Sequence, residues 1–163
     1  MGSKNLTKLL FMIYLSALTW IIVFKMDLST LLIGRYSYRS LNLIPFAGTA
    51  VYNGVLDYQE IGLNVLCFIP FGIYMEMLLR RAPWLLNLSI ICFVSLFYEV
   101  IQYVFMIGMA DITDLLANGL GGAIGINIMY VLTSIWREKT YGRMNLIATT
   151  STILVLVMVI LYL

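Results

Sequence analysis

Histidine is absent from this chain of 163 residues, cysteine occurs twice, and only 11% of the residues are charged. Without histidine the commonest zinc and haem ligand and the commonest general base are gone. Any proton chemistry therefore falls to carboxylates, tyrosine or lysine. Cys67 and Cys92 lie inside apolar runs, where a small buried hydrophobe is expected in preference to a disulfide or a metal ligand. No basic run is present to track phosphates, and the net charge is only +2, which sets a nucleic-acid partner aside. The scarcity of charge also excludes a water-facing surface. Soluble domains are about half apolar and about a quarter charged, whereas 62% of this chain is hydrophobic.

A hydrocarbon core about 30 Å thick asks for roughly 20 apolar residues per helical crossing. Runs of that kind occupy residues 9–24, 61–79, 84–107, 112–135 and 146–163. The expected fold is therefore all-α, a single polytopic membrane domain over residues 1–163 with about five transmembrane helices. The first run follows Lys4 and Lys8 but reaches Lys25-Met26-Asp27 with no small-residue cleavage site, so it reads as a retained anchor and not as a signal peptide. Residues 26–59 mix Asp27, Arg35, Arg39 and Asp57 with tyrosines, glycines and apolar residues. They predict an external interfacial loop that lies on or dips into the membrane surface, with Pro45 preventing one long helix. In the second span, Phe68-Ile69-Pro70-Phe71-Gly72 predicts a kink. The short link Gly108-Met109-Ala110-Asp111 makes the third and fourth spans an antiparallel pair.

Basic residues in short loops stay on the cytoplasmic side. With the amino terminus inside, that side carries Lys4, Lys8, Arg80, Arg81, Arg137, Lys139 and Arg143, and the other side only Lys25, Arg35 and Arg39. The split favours an inward amino terminus and places the first loop and the Asp111 link outside.

Polar residues inside the spans are the candidates for function, because a central acid costs roughly 2.5 to 3.5 kcal/mol even on insertion-based scales and must face protein or a wet cavity. Ser95, Glu99 and Gln102 share one face of the third span, and Asp111, Asp114, Asn118, Gly121 and Gly125 one stripe of the fourth. Asn64 on the second span, with Arg39 and Glu60 from the region before it, completes the set. Their convergence would make an outward polar pocket in which carboxylates share protons, pair with Arg39 or hold a hard cation. Simpler roles stand beside this one. Glu99 and Gln102 are also suited to interhelical hydrogen bonding, and Asp114 to capping the fourth helix. Arg39 is equally suited to lipid phosphate, and Glu76 to a snorkelling pair with Arg80. Gly119, Gly121, Gly122 and Gly125 read as a packing surface and not as a phosphate loop.

Several of these residues fall into ordered motifs. They are Arg39-Ser40-Leu41-Asn42, Leu43-Ile44-Pro45-Phe46, Asn64 with Phe68-Ile69-Pro70-Phe71-Gly72, Glu99-x-x-Gln102, Asp111-Ile112-Thr113-Asp114 and Asn118-x-x-Gly121-Gly122. In this order the chain resembles the VanZ family of bacterial membrane proteins over residues 4–135. Many relatives have an arginine just before the first Asp of the fourth motif, where this chain has Met109 and Ala110, and Asp where it has Thr113. The resemblance implies lowered susceptibility to teicoplanin and other lipoglycopeptides, and a place in the cytoplasmic membrane of a Gram-positive bacterium. The leading expectation is a non-enzymatic protein without a cofactor or resident metal. It would bind a membrane lipid or lipid-linked wall precursor through Arg39, Asn64, Glu99, Gln102, Asp111, Asp114 and Asn118. The alternatives are an integral-membrane enzyme that modifies a lipid or wall intermediate by carboxylate or Mg²⁺-assisted chemistry, and a small transporter or scaffold.

Overall fold

In lipid, every backbone donor and acceptor must be satisfied within the chain, so apolar runs of these lengths have helix as their only open solution. The computed structural model describes residues 4–24, 40–47, 51–52, 55–56 and 58–162. It contains helices α1 (Lys4–Phe24), α2 (Tyr58–Leu78), α3 (Trp84–Phe105), α4 (Ile112–Trp136) and α5 (Thr140–Tyr162). Short strands β1 (Leu41–Asn42), β2 (Val51–Tyr52), β3 (Val55–Leu56) and β4 (Ala110–Asp111) stand between them. Strands β2 and β3 form an antiparallel pair, while β1 pairs in parallel with the distant β4.

Four helical stretches are long and apolar enough to cross a membrane among the described residues, and the fourth, Ile112–Met158, runs for 47 residues. A continuous helix of that length would extend about 70 Å, more than two bilayer cores. It is instead two helices, α4 and α5, parted by the 3₁₀ turn Arg137–Lys139, where Arg137 takes a positive φ of 50°. The fully buried Thr140 closes the break, its hydroxyl donating to the carbonyls of Arg137 at 2.7 Å and Leu132 at 3.3 Å. The expected number of crossings is thereby met. The last of them starts at Thr140, so the basic loop expected before residue 146 shrinks to one turn.

Polarity is inverted relative to a soluble bundle. Among the residues with the least exposure are Asn87, Ser95, Asn118, Thr113 and Gln102, whereas Leu85, Phe93, Val131, Leu146 and Leu154 are exposed. An apolar exterior around polar contacts is the arrangement lipid selects, because interhelical hydrogen bonds and close packing replace the hydrophobic effect there.

Helix α2 is the axis of the bundle, and α4 is its main neighbour. The two approach through glycine: a Cβ at Gly121 would meet the Val65 carbonyl, one at Gly125 the Ile69 carbonyl, and one at Gly72 the Gly122 carbonyl. The glycine stripe is thus a packing surface, as its i, i+4 spacing implies. Pro70 within α2 removes one backbone donor. That leaves the Leu66 carbonyl without its usual partner, and in the same turn the Cys67 carbonyl accepts the Tyr14 hydroxyl of α1 at 2.6 Å. A second tie to α1 is the 2.9 Å bond between the Thr19 and Tyr98 hydroxyls.

At the end of the bundle that carries Lys4, Arg80 and Arg137, α5 joins α1 through the buried Thr7 hydroxyl, which donates to Asn145 at 2.9 Å. Glu76 stands near this end. It is only 7% exposed and accepts from the Asn87 side-chain amide at 2.9 Å, so it is a helix-to-helix contact inside the bundle, and the Arg80 charge one turn on also acts on it, as their spacing suggests. Arg80 itself lies over the Tyr141 ring, 3.6 Å from its centre.

Candidate functional site

The opposite end of the bundle holds the expected polar residues. Helix α3 ends at Phe105, and Met106, with φ 54°, takes the left-handed conformation that turns the chain. Five residues later β4 leads into α4. Asp111 is the N-cap: it is extended (φ −128°, ψ 127°) and its Oδ1 accepts the Thr113 amide at 2.7 Å. The capping role considered for Asp114 therefore belongs to Asp111, because β4 holds Asp111 extended and leaves Asp114 in the first helical turn.

Residues 40–47 fold onto this link. The Ala110 amide donates to the Ser40 carbonyl at 3.2 Å, and Leu41 and Asn42 run alongside Ala110 and Asp111. Asn42 then organises the turn. Its Oδ1 accepts the Ile44 amide at 3.1 Å, and its Nδ2 donates to Asp111 Oδ2 at 3.0 Å and to the Ala47 carbonyl. The Ala47 amide reaches back to the Ile44 carbonyl at 3.2 Å. With Pro45 second in that turn and Phe46 third at φ 58°, the Ile-Pro-Phe motif has the proline and positive φ of a type II turn. The Phe46 amide donates to Thr113 Oγ1 at 3.0 Å, which fixes the turn against α4. The segment thus does more than lie at a surface: it forms a cover over the α3–α4 corner.

Beneath it, Glu99 Oε2 accepts the Asp111 amide at 2.9 Å, Asn64 donates to Asp114 Oδ1 at 2.7 Å, and Asn118 donates to Ser95 Oγ at 2.9 Å. The stripes of α3 and α4 therefore face each other, and α2 joins them through Asn64. Gln102 departs from the group, since its amide donates to the Ile22 carbonyl in the last turn of α1 at 2.9 Å. There it satisfies one of the carbonyls that a helix end leaves open. Glu60 occupies the first turn of α2 and is partly buried. Arg39 lies outside the described residues.

All three carboxylates are sheltered, with Asp111 2%, Glu99 6% and Asp114 9% exposed. Asn64 is less buried, so the Asn64–Asp114 pair is the accessible edge and Glu99 the floor. The side-chain oxygens of Gln102 and Asn118 are buried without a hydrogen-bond partner, a state that costs about 1 to 3 kcal/mol per group if it stays dry. The site thus concentrates acceptors, and its chemistry suits hydroxyls, amines or a cationic group. Among the described residues no three His, Cys, Asp or Glu side chains are grouped to hold a metal ion.

Asn42 and Thr113 were named as parts of motifs, but their roles as clamps were not expected. The signal for Asn42 was local, an Asn two residues before Ile44-Pro45, where Asx turns form.

Comparison with known proteins covers the residues of these motifs. The sequence profile of the VanZ/LLP1 family matches residues 11–136. The chain belongs to the VanZ family. Protein VanZ of Enterococcus faecium is 32% identical over 159 residues, an alignment covering 98% of this chain and 93% of that protein. No solved structure matches. The VanZ profile takes in α1 from Phe11 onward and α2 to α4, and with them the glycine stripe, Pro70, and the cover from Ser40 to Ala47 with the acids beneath it; α5 lies beyond it.

Proposed function

We propose that this VanZ-family membrane protein lowers susceptibility to teicoplanin and related lipoglycopeptides by binding an envelope lipid or lipid-linked wall precursor. Binding takes place at the Glu99–Asp111–Asp114 end of the bundle. The protein sits in the bacterial cytoplasmic membrane with its amino terminus inside, which directs this end outward, to the surface where such drugs meet their targets. The observation that carries the reading is the sheltered acid group closed by the Ser40–Ala47 cover, with the Asn64–Asp114 edge left more open. Asn64 and Asp114 meet the headgroup first, Asn118 and Glu99 lie deeper, and Arg39 holds a phosphate or balances the acids. Gln102 supports the site by tying α3 to α1. Each carboxylate is engaged by a donor from another part of the chain. That supports a role in holding a ligand and closing over it, in preference to catalysis.

The experiment compares teicoplanin susceptibility of a sensitive host expressing wild type, Glu99→Gln, Asp114→Asn or Arg39→Ala at matched membrane levels. Wild type raises the inhibitory concentration, and each variant loses most of that protection while remaining in the membrane as folded protein. Full protection by all three variants would place the function elsewhere in the molecule.

A further inference from the structure

We propose that the basic end of the bundle binds one anionic phospholipid, with its headgroup on Lys4, Arg80 and Arg81 and an acyl chain in the groove between α1, α2 and α5. This site is at the far end from the one just described and does not depend on it. Lys4 begins α1, and Arg80 and Arg81 lie in the turn between α2 and α3; together they line a cleft of about 770 Å³. All three are exposed, and the remaining lining, Leu78, Leu79 and Ala82, brings no acid. Glu76, one turn before Arg80, lines no part of the cleft and accepts from Asn87 inside the bundle; it offsets part of the Arg80 charge and leaves those of Lys4 and Arg81 to the headgroup. At a membrane surface a cleft with three cations attracts an anionic lipid, each basic residue adding to the attraction.

The groove supplies the second half of the site. A cavity of about 450 Å³ between α1, α2 and α5 is lined by Tyr14, Ala17, Ile73, Met77, Met144 and Ala148 among other residues. Val155 and Leu156, which also line it, are exposed, so the groove is open to the lipid around the protein. Groove and cleft follow one another along α2, where Met77 lines the one and Leu78 the other. The Arg80 guanidinium rests on Tyr141, 3.6 Å from the ring centre and a single turn of α5 before Met144. A cationic cleft with an apolar slot one step further along α2 matches an amphiphile with an anionic head. A free phosphate would use the cleft alone.

Native mass spectrometry of the purified full-length protein tests this, after incubation with equal amounts of dioleoyl phosphatidylglycerol and dioleoyl phosphatidylcholine. Phosphatidylglycerol is retained over phosphatidylcholine by about tenfold or more, and Arg80→Gln or Arg81→Gln each lowers its retention about fivefold. Ala148→Trp, which fills the groove with all cations in place, also lowers retention. Millimolar glycerol 1-phosphate does not displace the lipid. Equal retention of the two lipids, no change in either arginine variant, no effect of Ala148→Trp, or displacement by glycerol phosphate would each overturn the proposal. Arg81→Gln changes only an exposed turn residue, so the charge arm remains readable even where Arg80→Gln destabilises the fold.

Discussion

Thr113 shows how one hydroxyl can fix a turn of a distant segment. Its oxygen accepts the Phe46 amide, and for that task any short side chain with an acceptor is sufficient. Removing the acceptor gives up that part-buried hydrogen bond, a loss of about 0.5 to 1.5 kcal/mol. Thr113→Val therefore loosens residues 40–47, seen as faster hydrogen exchange at Phe46, while Thr113→Asp leaves exchange slow. Equal exchange in wild type and Thr113→Val would mean that Asn42 alone holds the turn. Little of this detail could be seen in the sequence. That an acid would cap α4 was readable from its place before an apolar run. Which acid does so was not, because Asp111 is held extended by pairing with Asn42, and no local pattern reports a partner so distant along the chain.

Glycines divide into those whose surroundings are full and those whose surroundings are empty. A methyl at Gly121 or Gly125 would meet a backbone carbonyl of α2, whereas Gly62 and Gly142, also helical, have nothing within 4 Å of an added Cβ. Backbone cannot swing aside as a side-chain tip can, so Gly121→Ala or Gly125→Ala must push α2 and α4 apart, at a cost of about 1 to 3 kcal/mol or more. Gly142→Ala, in contrast, gains helix propensity of up to about 1 kcal/mol. Thermal unfolding in detergent checks the contrast, with lower midpoints for Gly121→Ala and Gly125→Ala and an unchanged or higher one for Gly142→Ala. A small effect at Gly125 would mean that α2 and α4 can separate freely. Periodicity made this stripe legible, since i and i+4 share a helix face. The proline inside α2 was legible too, but not the contact made in its turn. The hydroxyl that meets the Cys67 carbonyl comes from Tyr14, and nothing near Pro70 announces it. The break between α4 and α5 fell where it was expected but was drawn too long, for a related reason. It depends on a positive φ at Arg137 and on the Thr140 hydroxyl, neither of which hydropathy detects.

The direction of the whole bundle decides whether the proposed drug-related role is physically possible. The acids and their cover lie at one end, and Lys4, Arg80, Arg81 and Arg137 gather at the other. Basic residues in short loops resist transfer across the membrane, so the acidic end is expected outside. Two exposed positions distinguish the orientations, Leu43 in the cover and Arg81 in the α2–α3 turn. In a background with Cys67 and Cys92 replaced by serine, Leu43→Cys is labelled by a membrane-impermeant maleimide on intact cells, and Arg81→Cys only after permeabilisation. The reverse pattern would place Glu99, Asp111 and Asp114 at the cytoplasmic face. A lipoglycopeptide outside the cell could not meet a ligand held there, and the outward-facing site would have to be abandoned even though every hydrogen bond within it stood unchanged. The phospholipid site would survive that reversal, because its cleft and groove depend on proximity to a membrane surface and not on which surface it is. The labelling experiment thus separates the two proposals and tests the one to which orientation matters.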